Sequence, residues 1–190
     1  YRKPSVPSSV RVNPAESDEF DTTELGLQWQ WHSNYQDLYG FTTPYGFIRL
    51  YSWPLSEKYI NLWEASNMLL QKFPAETFTA TTKVTVVSKE DGQEGGLIVM
   101  GWDYAALTVR REGDRFILIQ RVSKDAEQGG KESVEKLAGF EPSECQTIIY
   151  SPTVSRSVYL RVQVAGEGMC RFAYSLDGQT FTPCGKPFKA

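Results

Sequence analysis

Leu25, Leu27, Trp29 and Trp31 alternate with Gly26, Gln28 and Gln30. A period of two marks a strand with one apolar and one polar face. The pattern returns between Thr77 and Val87, where Phe78, Ala80, Thr82, Val84 and Val86 share a face among many β-branched residues. It returns again from Val158 to Val164. Phe47–Tyr51 is a further strand candidate. LIVMGWDYAALTV reads as two strands parted at Gly101 and Asp103, and REGDR as a short hairpin turn into FILIQRV. QTIIY and CRFAYS complete the series, and Asp177-Gly178 predicts a hairpin from CRFAYS into QTFTP. Residues 123–139 lack clean periodicity and read as an excursion between strands. Asn61 to Lys72 is the one helix-like run, although its NLW and MLL clusters suit short strands or an irregular loop equally well. The sum is about ten strands without a good amphipathic helix, which predicts an all-β fold, a two-sheet antiparallel β-sandwich over residues 20–190. Residues 1–19, rich in Pro, Ser and charge, read as a linker or tail with one short strand at Val10–Val12.

Composition sharpens this picture in two places. Aromatic residues make up 13% of the 190, with 5 Trp, 10 Tyr and 10 Phe, and that favours sheets. Twenty basic against 23 acidic residues give a formal charge of −3, so no basic excess points to nucleic acid or an anionic membrane as partner. The apolar runs, such as Gly96 to Gly101, are far too short to span a bilayer. No signal peptide opens at Tyr1, so the chain is expected to be mature or a piece of a longer protein. Cys145, Cys170 and Cys184 form no CxxC pair. A two-residue loop at Asp177-Gly178 sets Arg171 rather than Cys170 opposite Cys184, so no disulfide is expected between Cys170 and Cys184.

Most catalytic chemistries find little support. Glu90-Asp91, Asp18-Glu19 and Asp125-Glu127 are close acids, but all lie in turn-like polar segments. Glycosidase carboxylates need a fixed separation across a cleft, which sequence spacing does not show. His32 is the only histidine, no GxSxG elbow accompanies it, and zinc would need three or four spaced ligands. Calcium stays open, because backbone carbonyls supply many of its ligands; Asp18, Asp21 and Asp103 are the candidates, and the metal site is otherwise unknown.

Carbohydrate recognition fits better. A pyranose offers an apolar face to Trp or Tyr and a hydroxyl rim to amides. Trp29 and Trp31 share the leucine face and read as core, as does Trp63, whereas Trp53 sits in a Pro loop. Gln28 and Gln30 project from the polar face of the same strand. We place a carbohydrate-binding or domain-interface site at Gln28, Gln30 and Gln71, with Trp102 or Tyr104 as the stacking plane.

LGLQWQWHSN, IRL, NLWEASNMLLQKFPAETFTATTKV, GGLIVMGWDYAALTV and YLRVQVAGEGMCRFAYSLDGQTF follow one another in this order. Together they resemble the C-terminal concanavalin A-like domain of glycoside hydrolase family 43 enzymes, the β-xylosidase and α-L-arabinofuranosidase group. The resemblance runs from about Phe20 to Lys189. It implies a concanavalin A-like jelly roll, a non-catalytic accessory domain attached to a catalytic β-propeller of the same polypeptide. It implies xylan or arabinan oligosaccharides as partners, with neither nucleic acid nor membrane, and a secreted or periplasmic location. The catalytic acids would belong to the propeller, so none is assigned here. The Pro-rich start would be the inter-domain linker, and members usually continue past the position of Phe188 into a further strand. Two alternatives stand beside this reading: an independent, lectin-like carbohydrate-binding domain, and a self-sufficient jelly-roll hydrolase. The last would need two inward mid-strand acids, where the sequence shows Gln, Thr and aliphatic residues.

Overall fold

A computed structural model describes residues 15–36, 39–143 and 154–190. The chain divides into two compact units, residues 1–51 with 67–72 and residues 52–66 with 73–190.

In the first unit, β1 (Trp29–Trp31) pairs antiparallel with β4 (Leu69–Gln71), and β2 (Gly40–Thr43) with β3 (Phe47–Leu50). The strand expected from Leu25 is shortened to three residues. The Trp29 N–H donates to the Gly26 carbonyl at 3.1 Å, closing a turn, and Leu27 stands fully in solvent. A turn breaks the link between alternation and burial, so Leu25 and Leu27 do not extend the apolar face of Trp29 and Trp31. The helix-like run resolves into a 3-10 turn at Leu62–Glu64, in the second unit, and into β4.

The second unit holds two four-stranded antiparallel sheets. One has the order β12-β11-β10-β5, formed by β5 (Phe78–Ser88), β10 (Val154–Ala165), β11 (Met169–Ser175) and β12 (Thr182–Lys189). The other has the order β6-β7-β8-β9, formed by β6 (Glu94–Met100), β7 (Tyr104–Glu112), β8 (Arg115–Ser123) and β9 (Glu132–Phe140). The sandwich core lies between them. Val158, Leu160, Val162 and Val164 of β10 cluster with Leu107 and Val109 of β7, Phe116 and Leu118 of β8, and Phe140 of β9. Burial of each such side chain contributes about 1.5–3 kcal/mol. The eight strands of the sandwich thus run from Phe78 to Lys189, and the four short strands before them belong to the first unit.

Two expectations need correction. Residues 123–139 are not mainly an excursion: a 3-10 turn at Ala126–Gln128 is followed by β9. β9 is an edge strand with charges on both faces, and a bulge at its Leu137, opposite the step from Leu118 to Ile119, breaks the register. Those two features erase the period-two signal. The second correction concerns the β11–β12 hairpin, whose connection spans residues 176–181 rather than two residues. Asp177 Oδ1 accepts from the Ser175 hydroxyl at 2.7 Å and from the Gln179 and Thr180 N–H groups at 2.8 and 2.9 Å, which fixes the longer loop. Phe172, not Arg171, therefore opposes Cys184, and Cys170 opposes Phe188. Cys170 and Cys184 are both free thiols. By contrast, REGDR is the short hairpin turn expected, and its loop is two residues long, with Gly113 at φ +62°. Val10–Val12, QTIIY, Cys145 and most of the expected linker lie outside the described residues.

Candidate functional site

Gln28, Gln30 and Gln71 belong to the first unit, and Trp102 and Tyr104 to the second. In the first unit, Gln28 precedes β1, so the period-two rule that would align it with Gln30 does not apply. Its Nε2 donates to Asp18 Oδ2 at 3.2 Å, and the Trp29 indole N–H donates to the same oxygen at 2.8 Å. Asp18 Oδ1 accepts from the Phe20 N–H at 2.8 Å, and the Phe20 ring lies 5.3 Å from that of Trp29. In the β1–β4 ribbon, Trp29 opposes Gln71 and Gln30 opposes Leu70. Opposed residues share a face and neighbours alternate, so Gln30 and Gln71 project to opposite sides. Gln71 Nε2 donates to the Glu16 carbonyl at 3.1 Å, while Gln30 is exposed.

In the second unit, Trp102 sits in the β6–β7 turn with 76% of its surface exposed. Its carbonyl accepts from the Ala126 N–H at 2.8 Å, which holds the turn without covering the ring. Tyr104 is fully buried. Its hydroxyl donates to Glu132 and accepts from the Leu62 N–H at 2.8 Å, so its ring is not open to a sugar in this chain. Burial and the bond to Glu132 push the phenol well above its ordinary range, and it remains an O–H donor.

Two of the three calcium candidates, Asp18 and Asp103, meet nitrogen donors. Asp18 accepts the three bonds described above. Asp103 accepts from the Lys124 ammonium at 2.6 Å and the Asp125 N–H at 2.8 Å, and these hold its carboxyl below the usual carboxylate range. Lone pairs already aimed at N–H groups suit a cation poorly. Among the described residues no group of three or more His, Cys, Asp or Glu side chains is placed to hold a metal ion.

The sequence reading missed the charged cluster around Tyr104. It lies on the face of the β6–β9 sheet opposite the core. Arg121 of β8 binds Glu94 of β6 through two parallel bonds, Nε to Oε1 and Nη2 to Oε2, both 2.7 Å. Its Nη1 donates to Glu132 of β9. Thr108 donates to Glu94, and Tyr59 donates to Glu132 at 3.2 Å. Burial opposes the charge on Arg121, but the two carboxylates outweigh it and raise the guanidinium further. Tyr59, like Tyr104, is pushed up by burial and by Glu132. The cover over this face is the segment carrying Tyr59, Asn61 and Leu62. Asn61 is buried and anchors it: Nδ2 donates to the Ala126 and Gly130 carbonyls at 2.9 and 2.7 Å, and Oδ1 accepts from the Trp63 N–H at 2.9 Å. General acid–base work needs a carboxyl within reach of a substrate proton. Glu94 and Glu132 instead spend their oxygens on internal donors, which makes this cluster a fastening. No local spacing signalled it, because its members meet only through strand pairing.

The comparisons with known proteins agree on the fold. Residues 17–190 match the family described as β-xylosidase C-terminal concanavalin A-like domain. A non-reducing end α-L-arabinofuranosidase of Bacteroides ovatus is 28% identical over 129 residues, covering 66% of this chain and 24% of that protein. The crystal structure of a xylan β-1,4-xylosidase from Bacillus halodurans superposes with a TM-score of 0.70 at 17% identity, over 98% of this chain and 33% of that one. A glycoside hydrolase of family 43, engineered to show both endo-xylanase and exo-arabinofuranosidase activity, gives 0.67 at 19% identity, over 96% and 35%. The chain therefore spans between a quarter and about a third of these relatives. The two facing antiparallel sheets and the match from residue 17 to the last residue together make this chain a member of the β-xylosidase C-terminal concanavalin A-like domain family of glycoside hydrolase family 43.

Proposed function

We propose that the chain is the non-catalytic accessory domain of a secreted or periplasmic family 43 glycosidase of the xylosidase or arabinofuranosidase type. It packs on the catalytic propeller of the same polypeptide and contacts xylan or arabinan oligosaccharides bound there. The observation that carries this reading is the family match over residues 17–190 of a chain that spans only a quarter to a third of its relatives. The saturated carboxylates Asp18, Glu94 and Glu132 support it, since none is left open to act on a glycosidic bond. Trp102 supplies the exposed aromatic surface for stacking on a pyranose or on the propeller.

The test has two arms. The 190-residue chain alone should not hydrolyse aryl xylosides or arabinofuranosides. In the full-length polypeptide, Trp102→Ala should lower kcat/KM by roughly thirtyfold, the loss of about 2 kcal/mol that marks an aromatic hot spot. Turnover by the chain alone, or a reading frame that encodes no glycosidase region, would overturn the reading.

A further inference from the structure

The outer face of the β5–β10–β11–β12 sheet carries charge of one sign. Strand register places Thr81 beside Arg161, Lys83 beside Tyr159, and Gln163 between Thr79 and Arg171, all turned away from the core valines. No Asp or Glu occurs anywhere in these four strands, although acids outnumber bases in the whole chain, 23 to 20. Lys83, Arg161 and Arg171 form no ion pair among the described residues; the paired cations of this sheet are Lys186 and Lys189 of the edge strand β12, which meet Glu135 and Glu167 from outside the four strands. Thr79, Thr81, Lys83, Gln163 and Arg171 are exposed.

Two of the cations on this face, Arg161 and Lys83, pack on aromatic rings. The Arg161 guanidinium carbon lies 3.4 Å from the Phe181 ring centroid, and Nε donates to the Thr81 hydroxyl at 2.9 Å. Stacking on an aromatic ring fixes the guanidinium plane and reduces the side-chain freedom a ligand would otherwise have to remove. The Lys83 ammonium sits 5.7 Å from the Tyr159 ring centroid. The 176–181 loop packs on that same ring: Gly178, at φ +77°, lies so close that a Cβ there would come within 2.9 Å of Tyr159.

We infer that this face docks a carboxylated polysaccharide, a plant glycan bearing uronic acid groups. A guanidinium fork matches a carboxylate in plane and in spacing. The Thr79 hydroxyl and the Gln163 amide both donate and accept, as sugar hydroxyls require. The partner is a glycan rather than a nucleic acid because the net charge of −3 repels a dense phosphate backbone, whereas spaced uronates need only the local cations. The inference rests on the plant-glycan reading above. Its readout is binding by this chain alone, while that reading is judged by glycosidase activity of the full-length polypeptide, so either can fail without the other.

Affinity electrophoresis of the 190-residue chain through glucuronoxylan, and through the same polymer with its carboxyl groups reduced to alcohols, provides the test. Glucuronoxylan should retard the chain and the reduced polymer should not. Arg161→Gln should raise Kd about tenfold, the loss of roughly one charge-assisted hydrogen bond. Lys136→Gln, on the opposite sheet, should bind as wild type. Should Arg161→Gln fail to fold, the double variant Lys83→Gln/Arg171→Gln should show the same loss. Absence of retardation, equal retardation by the reduced polymer, an equal loss in Lys136→Gln, or preference for a duplex DNA over glucuronoxylan would each overturn the inference.

Discussion

On the β6–β9 sheet, the face away from the core carries Arg121 between Glu94 and Glu132, with side chains only 12%, 16% and 5% exposed. On the β5–β10–β11–β12 sheet, the corresponding face carries Lys83, Arg161 and Arg171 with no acid in any of its strands. Both faces hold cations on a sheet, yet the physics differs. A buried guanidinium has to be matched, because an unpaired charge out of water costs several kcal/mol. An exposed one needs no partner, since water solvates it, and so it stays available for a ligand. The covered face is therefore an internal fastening, and the open face is where an outside partner can be met.

The sharpest way to break this contrast is Arg121→Met. It should leave Glu94 and Glu132 buried without their cation and destabilise the chain by about 3–5 kcal/mol in urea unfolding. The triple change Glu94→Gln, Arg121→Met, Glu132→Gln should recover most of that loss, because removing all charges together leaves none unmatched. An unchanged midpoint in the single variant would remove the fastening role. Asn61→Ala comes next. It deletes three hydrogen bonds of the covering segment and leaves the Ala126 carbonyl with the Gly129 N–H and the Gly130 carbonyl with the Ser123 hydroxyl, a cost of about 2 kcal/mol. Hydrogen exchange at the Leu62 N–H should accelerate in parallel. Arg161→Gln, on the open face, should stay within about 0.5 kcal/mol of wild type while losing glycan retention.

The smallest effect concerns pH. The Ser175 hydroxyl, followed by the Gln179 and Thr180 N–H groups, lowers the Asp177 carboxyl from 3.8 to about 2. A depressed carboxyl contributes stability above its ordinary value and loses it as pH falls toward 2. Asp177→Asn should thus melt slightly below wild type at pH 6, and the gap should close by pH 2. A gap that persists at pH 2 would show that the loop is held by something other than the charge.

The strands with long unbroken alternation were legible in advance. Phe78–Val86 and Val158–Val164 form neighbouring rows on the core side of one sheet, because a pleated strand with one buried face leaves a period-two trace in any sequence. Leu25 and Leu27 show the limit of that rule. The same alternation continued into a turn, where side-chain direction no longer follows period two. β9 shows the converse, a real strand whose pattern is hidden by an edge position and a bulge.

The candidate site was less legible. The sequence singled out Trp102, and the structure leaves it exposed; it also singled out Tyr104, which the structure buries against Glu132. Composition and periodicity report on one strand at a time, so they determined an all-β sandwich, its main core rows and a short hairpin turn at REGDR. Which charges meet across strands was decided by the tertiary structure. Glu94, Arg121 and Glu132 come from three strands, and only the pairing register brings them within hydrogen-bond reach. The same register gathers Lys83, Arg161 and Arg171 on one open face without a single acid, a property that no window along the chain contains.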